Sequence, residues 1–216
     1  KLAPADKTNG KVTILKSNQG YILHFHFKTL PNNANEVFSD SLNYPSIGGI
    51  LATSQKKSLQ FGAIATSCTI DRLSFEFSPN TFIQNHPEQS VNIYNKIVKI
   101  AEDAAACRVL DLYCGIGVSS LLLANQKIHV TGVELNPRSI KQAHANAIKN
   151  GLNAFTQFIA ADVEKVLSQL LENDQPELII VNPPREGLSP KVAQIVKSSP
   201  AKTLVYISCM PSTLAR

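Results

Sequence analysis

No stretch of the 216 residues is apolar for long enough to span a bilayer, and no basic leader with an apolar run and small-residue cleavage site precedes the first short strands. The default expectation is a cytoplasmic protein. Cysteine occurs only at positions 68, 107, 114 and 209. That density is too low for a disulfide scaffold, and no C-x-x-C pair offers a zinc site, so the four read as free thiols and no metal is expected. Repeats and low-complexity tracts are absent as well.

What is present is an ordinary globular composition, 44% hydrophobic, on a chain long enough for one full domain and a smaller piece. The formal net charge is +5, with an isoelectric point near 9.0. A positive surface raises the local concentration of polyanions, so a nucleic-acid partner fits. The lysines, among them Lys7, Lys11, Lys16, Lys56, Lys57, Lys191, Lys197 and Lys202, are scattered, as on any soluble surface.

Up to about Phe77 the chain alternates short β-like runs with polar turns: 11–15, 21–27, 47–52, 59–65 and 73–77. With breakers such as Pro31-Asn32-Asn33-Ala34-Asn35 between them, these predict a small, mainly antiparallel sheet running as a meander. His24 and His26 lie two apart and so share a face, which is expected to be solvated. Phe25, Phe27, Phe75 and Phe77 alternate as core residues do. From about Ser90 the texture changes to helical patterns between apolar strands. Helices are predicted over 91–104, 118–125, 137–150, 163–172 and 189–197, and strands over 108–112, 129–134, 156–160, 177–181 and 203–208. This order predicts an α/β domain with a doubly wound parallel sheet. The division expected is 1–76 for the β domain and 77–216 for the α/β domain, whose last strands are expected to lie beyond Arg216.

Three segments carry chemistry. Val109-Leu110-Asp111-Leu112-Tyr113-Cys114-Gly115-Ile116-Gly117 is an apolar strand entering a glycine turn and then a helix, so the backbone can approach a ligand and the helix offers free N–H groups. Glu134 ends the next strand about 20 residues on, where a carboxylate accepts from both ribose hydroxyls of an adenosine. Ser120 stands where a dinucleotide fingerprint has its third glycine. With Asp162 after the third strand, the set is that expected for S-adenosylmethionine. Asn182-Pro183-Pro184-Arg185 follows the fourth strand, and its prolines hold Asn182 in an extended loop facing the donor. Arg185 occupies the place where exocyclic-amine methyltransferases carry an aromatic residue. The fifth strand delivers Cys209 to the same edge, ahead of Pro211. Cys114 is expected only to pack, and Tyr206, inside a strand, to need no catalytic role. A thiolate at this edge suits addition to carbon 6 of uracil, which makes carbon 5 nucleophilic enough to accept a methyl group. Arg185 is the cation expected to favour the thiolate, and a base must then remove the proton from carbon 5.

Phe82-Ile83-Gln84, the block 111–117, Glu134, 182–185 and Ser208-Cys209-Met210-Pro211-Ser212-Thr213-Leu214-Ala215-Arg216 together resemble the RNA 5-methyluridine methyltransferase family over roughly residues 75 to 216. The resemblance implies a Rossmann-like class I methyltransferase domain, with Gln84, Tyr113, Glu134 and Asn182 contacting the methyl donor and Cys209 as nucleophile. It makes residues 1 to 76 the remainder of a central β domain that helps hold RNA, a transfer or ribosomal RNA. Asn182 replaces a frequent Asp of that family and His86 a frequent Asn. The family's glutamate base lies beyond the cysteine motif, past Arg216, and its N-terminal RNA-binding barrel and iron–sulfur cysteines have no counterpart here. Two other classes compete: a noncatalytic RNA-binding module that retains the cofactor fold, and a nicotinamide-dependent oxidoreductase, which the missing third glycine disfavours.

Overall fold

A computed structural model of the chain describes residues 11–17, 20–79, 81 and 87–208. The polypeptide forms two compact units, Lys1–Cys68 with Glu76–Asn80, and Thr69–Phe75 with Thr81–Arg216. Among the described residues no helix is long and apolar enough to cross a membrane.

The first unit is built on a four-stranded sheet in the order β1-β2-β3-β4. Strands β1 (Lys11–Ser17) and β2 (Gly20–His26) are antiparallel, as are β3 (Ile47–Thr53) and β4 (Ser58–Gly62). The middle pair β2 and β3 is parallel, which corrects the expected meander. Parallel neighbours need a crossover, and α1 (Ala34–Ser41) supplies it, starting inside the segment read as a breaker. Its Ala34, Val37 and Phe38 recur at helical spacing and pack with Phe25, Ile50 and Ala52. The Phe25 and Phe38 rings lie 5.0 Å apart. His24 is also corrected: it is only 2% exposed, with Nε2 2.9 Å from Thr53 Oγ1. Burial, and then the neighbouring His26, hold its pKa down to about 4, so the ring is neutral at physiological pH. Among the described residues no three His, Cys, Asp or Glu side chains gather to hold a metal.

The run expected over 59–65 ends at Gly62, and a separate strand β5 (Thr66–Ile70) follows, forming a two-stranded sheet with β6 (Leu73–Phe77). Asp71 and Arg72 between them both take positive φ, 45° and 68°, the conformation of a two-residue hairpin turn. The hairpin tip, Thr69–Phe75, belongs to the second unit.

The second unit follows the expected alternation closely. After α2 (Pro87–Asp103), which starts a turn earlier than predicted, come β7 (Arg108–Leu112), α3 (Val118–Asn125), β8 (His129–Glu134), α4 (Pro137–Lys149) and β9 (Thr156–Ala160). The series ends with α5 (Val163–Asp174), β10 (Leu178–Val181), α6 (Pro190–Lys197) and β11 (Thr203–Tyr206). The strands form one parallel sheet in the order β11-β10-β7-β8-β9. Leu178, Ile179, Ile180 and Val181 of β10 are each 0% exposed, consistent with a strand covered on both faces. Each such side chain contributes roughly 1.5–3 kcal/mol by burial. Strand β11 is an edge among the described residues, and Leu204 there is 49% exposed. Asn136, Asp162 and Ser189 cap α4, α5 and α6 with side-chain oxygens.

Gly132 in β8 is a close-approach site: a Cβ there would lie 2.7 Å from Phe158 Cδ1 and 2.9 Å from Cys114 Sγ. Gly132→Ala is expected to lose about 1–3 kcal/mol by overpacking, measured by urea denaturation; an unchanged midpoint would show that the contact relaxes freely.

Candidate functional site

The chain lays down β7, β8 and β9 in one direction across the sheet and then returns to place β10 on the other side of β7. The loops after β7 and β10 therefore leave in opposite directions, opening a crevice at the carboxyl edge where such sheets bind ligands. Five segments meet this edge: the glycine turn after β7, Glu134 at the end of β8, Asp162 after β9, Asn182 after β10, and the residues following β11.

The glycine turn is held from two sides. Tyr113, Gly115 and Gly117 all have positive φ, at 64°, 58° and 80°. For Gly117 the space is closed as well, since a Cβ would lie 2.8 Å from Phe158 Cζ. On the crevice side the Glu134 carboxylate accepts from Gly115 N at 3.3 Å and from Asn136 N at 2.8 Å. Each oxygen thus takes one backbone donor and keeps acceptor capacity for a ligand hydroxyl. Beneath the turn, fully buried Asp111 accepts from the hydroxyls of Ser119 and Ser120 at 2.6 Å each, through Oδ2. Its Oδ1 is buried without a hydrogen-bond partner among the described residues. Burial drives the Asp111 pKa up to about 6, against the downward pull of the two serine hydroxyls and the Ser120 backbone N–H.

Tyr113 is half-buried, and its hydroxyl titrates above its usual range because of burial, followed by Asp162, Tyr206, Glu164 and Glu134. The fold therefore brings the charges of Glu134 and Asp162 to bear on Tyr113 and adds Glu164, which the sequence reading missed, and Tyr206, which it read as a strand residue without a catalytic role. Glu164 also accepts from Ser189 Oγ at 2.7 Å, and its signal in the sequence is only its place in the first turn after the Asp162 cap. Carboxylates from three positions around one tyrosine make a site suited to a cationic ligand. Asp162 itself is exposed and accepts from Glu164 N at 3.0 Å. Asn182 is partly buried and its N–H donates to Leu112 O at 3.2 Å, tying the β10 loop to β7. Arg185 is exposed on a tight turn closed by Gly187 N donating to Pro184 O at 2.9 Å. Cys114 is 8% exposed, and burial, then Asp111 and Glu134, keep it a thiol, in keeping with a packing role. Gln84, His86 and Cys209 lie outside the described residues.

A doubly wound sheet with this strand order and a carboxylate at the end of its second strand is the fold of S-adenosylmethionine-dependent methyltransferases. The chain is similar over 95% of its length to Pyrococcus abyssi tRNA (uracil-54, C5)-methyltransferase in complex with S-adenosyl-L-homocysteine, with a TM-score of 0.72, 24% identity and 51% of that chain covered. An Agrobacterium tumefaciens SAM-dependent methyltransferase aligns with a TM-score of 0.52 at 18% identity, over 82% of this chain and 61% of that one. More specifically, residues 50–216 match the model of the tRNA (uracil-5-)-methyltransferase family, and the chain belongs to that family. It is 44% identical over 214 residues to an uncharacterized RNA methyltransferase of Protochlamydia amoebophila, covering 98% of this chain and 49% of that relative. A Bacillus cereus RNA methyltransferase is 38% identical over 149 residues, which is 68% of this chain and 32% of the relative. The chain thus spans half or less of the length of these two relatives.

Because the folded pKa of Asp111 lies above its unfolded value of about 3.9, its contribution to stability is fully present below that value and is lost as pH rises through about 6. The stability of the wild type relative to Asp111→Asn is expected to fall by roughly 2 kcal/mol between pH 4 and pH 7. Denaturant titrations of both proteins across that range test this; a constant difference would mean that Asp111 ionises normally.

Proposed function

We propose that this chain is the donor-binding core of an S-adenosylmethionine-dependent enzyme that methylates carbon 5 of a uridine in tRNA or rRNA, in the cytoplasm. The observation that carries the reading is the Glu134 carboxylate, poised between Gly115 N and Asn136 N at the switch-point crevice of a chain from this family. The donor brings a methyl group on a positively charged sulfonium. The residues around the crevice fit that ligand: Glu134 for the ribose hydroxyls, the open backbone of the 115–117 turn, and the negative surroundings of Tyr113, with Asp162 and Asn182 as further contacts; Gln84 is proposed as a donor contact on the family resemblance alone.

On the base, Cys209 is the proposed nucleophile. It follows β11, whose last described residues continue along β10 through Ile207 N donating to Val181 O at 2.9 Å. Its thiolate adds to carbon 6 of uracil, and the electron pair of the 5,6 double bond moves onto carbon 5 and the O4 enolate. Carbon 5 then attacks the methyl carbon, whose bond to the sulfonium sulfur breaks to leave a neutral thioether; a base takes the remaining proton from carbon 5, the double bond re-forms, and the thiolate leaves. Arg185 is proposed to bind the RNA and to favour the thiolate. Residues 1–76 are proposed as the part of the β domain that touches RNA.

Incubation with S-adenosylmethionine and a uridine-containing RNA, followed by a denaturing gel and mass analysis, is expected to show a covalent adduct or 5-methyluridine that Cys209→Ala abolishes. Neither product, despite binding of both donor and RNA, would favour the noncatalytic RNA-binding module. Glu134→Ala is expected to weaken donor binding roughly 10- to 100-fold, as loss of charge-assisted hydrogen bonds does, whereas Cys209→Ala leaves it nearly intact. Calorimetry distinguishes these, and an unchanged affinity in Glu134→Ala would remove the ribose assignment.

A further inference from the structure

Helix α4 carries amide side chains along its packed side. Asn146 is 0% exposed, and its Nδ2 donates at 3.4 Å to the carbonyl of Ile116, between the two glycines of the donor turn. One turn earlier, Gln142 Nε2 donates to Asn146 Oδ1 at 3.4 Å. One turn later, Asn150 at the C-cap donates from Nδ2 to Asn146 O and to Ser74 O, both at 2.8 Å, and accepts at Oδ1 from Ser74 N at 2.9 Å. The three amides are spaced four residues apart, so they share one side of the helix about 6 Å apart along its axis. Buried Ala143 and Ala147 show that small apolar residues also fit the packed side, and burying an amide costs free energy unless each of its groups is paired. Packing alone does not account for amides here. Their bonds run to specific backbone atoms on two separate segments.

Those segments are the donor turn and the β5–β6 hairpin. Asn150 engages both the N–H and the carbonyl of Ser74, as a neighbouring strand would. At its other end α4 starts from Asn136, whose N–H holds Glu134 at 2.8 Å. A single rigid helix therefore joins the carboxylate of the crevice, the carbonyl within its glycine turn and the tip of the hairpin, all inside the second unit. The strands flanking that tip run on through Cys68 and Glu76 into the first unit.

We propose that Gln142, Asn146 and Asn150 are positioning residues, a polar stripe through which methyl-donor binding at the glycine turn is linked to ordering of the β5–β6 hairpin. The inference rests on the crevice being the donor site. Linkage is reciprocal, so whatever orders the hairpin, including RNA held by its flanking strands, raises donor affinity by the factor with which the donor orders the hairpin.

Hydrogen exchange at the Ser74 amide, measured on the full chain with and without S-adenosylmethionine, tests this without any substitution. Exchange is expected to slow when the donor binds. In Asn146→Ala the slowing is lost and donor affinity falls about 2- to 30-fold, the range for residues that couple without touching a ligand. A merely structural Asn146 would lower the melting temperature yet leave the donor-induced slowing in place, and that result overturns the proposal. So does a wild type that binds donor with no change at Ser74. Failure of the wild type to bind S-adenosylmethionine at all would instead overturn the reading of the crevice, and this inference with it.

Discussion

Burial of β7 between β8 and β10 is the constraint on which the rest of this structure depends. Val109, Leu110, Asp111 and Leu112 are each at most 2% exposed, and the strand pairs on both sides. The chain must therefore leave β7 upward into a helix, and it must return to the far side of the same strand when β10 forms. The crevice is the geometric consequence. It stays open because the turn that leaves β7 uses left-handed backbone at three positions, which directs the chain away from the sheet edge before α3 begins.

Asp111 shows how much polar chemistry that burial has to accommodate. A carboxylate inside a central strand is stable only with donors, and the two serines in the first turn of α3 provide them at 2.6 Å. The same contacts tie the strand to the helix across the glycine turn, so the turn is braced below by Asp111 and above by Glu134. The carboxylates whose charges reach Tyr113 come from two places, Glu134 at the end of β8 and Asp162 with Glu164 at the start of α5, and together with burial they raise its pKa.

The parts of the fold that the amino-acid order left hidden have a common cause. Helix α1 is eight residues long and opens at Asn33, a residue equally at home in a turn, so its helicity rests on Phe38 packing against β3 rather than on propensity. His24 alternates correctly along β2, but which face points inward is settled only when β3 pairs parallel beside it and Thr53 reaches its ring. Asn146 and Asn150 look like solvent-facing helix residues until the glycine turn and the hairpin arrive to pair with them. Asp162 was expected as a donor-site residue from its place after β9, and the structural work it performs is capping α5.

Alone, the amino-acid order determined whatever depends on neighbours within a few residues: the apolar strand runs, the Gly115–Gly117 turn, the caps at Asn136, Asp162 and Ser189, and the placing of Glu134 at a strand end. These follow from backbone sterics and short-range hydrogen bonding, which each segment carries with it. Tertiary structure decided the strand order, the parallel pairing of β2 with β3, the gathering of carboxylates around Tyr113, and the bond between Ser74 and Asn150, which are 76 positions apart. Contacts at that separation form only when long loops close around a shared core, and the apolar surface that drives the closure specifies no single polar partner in advance.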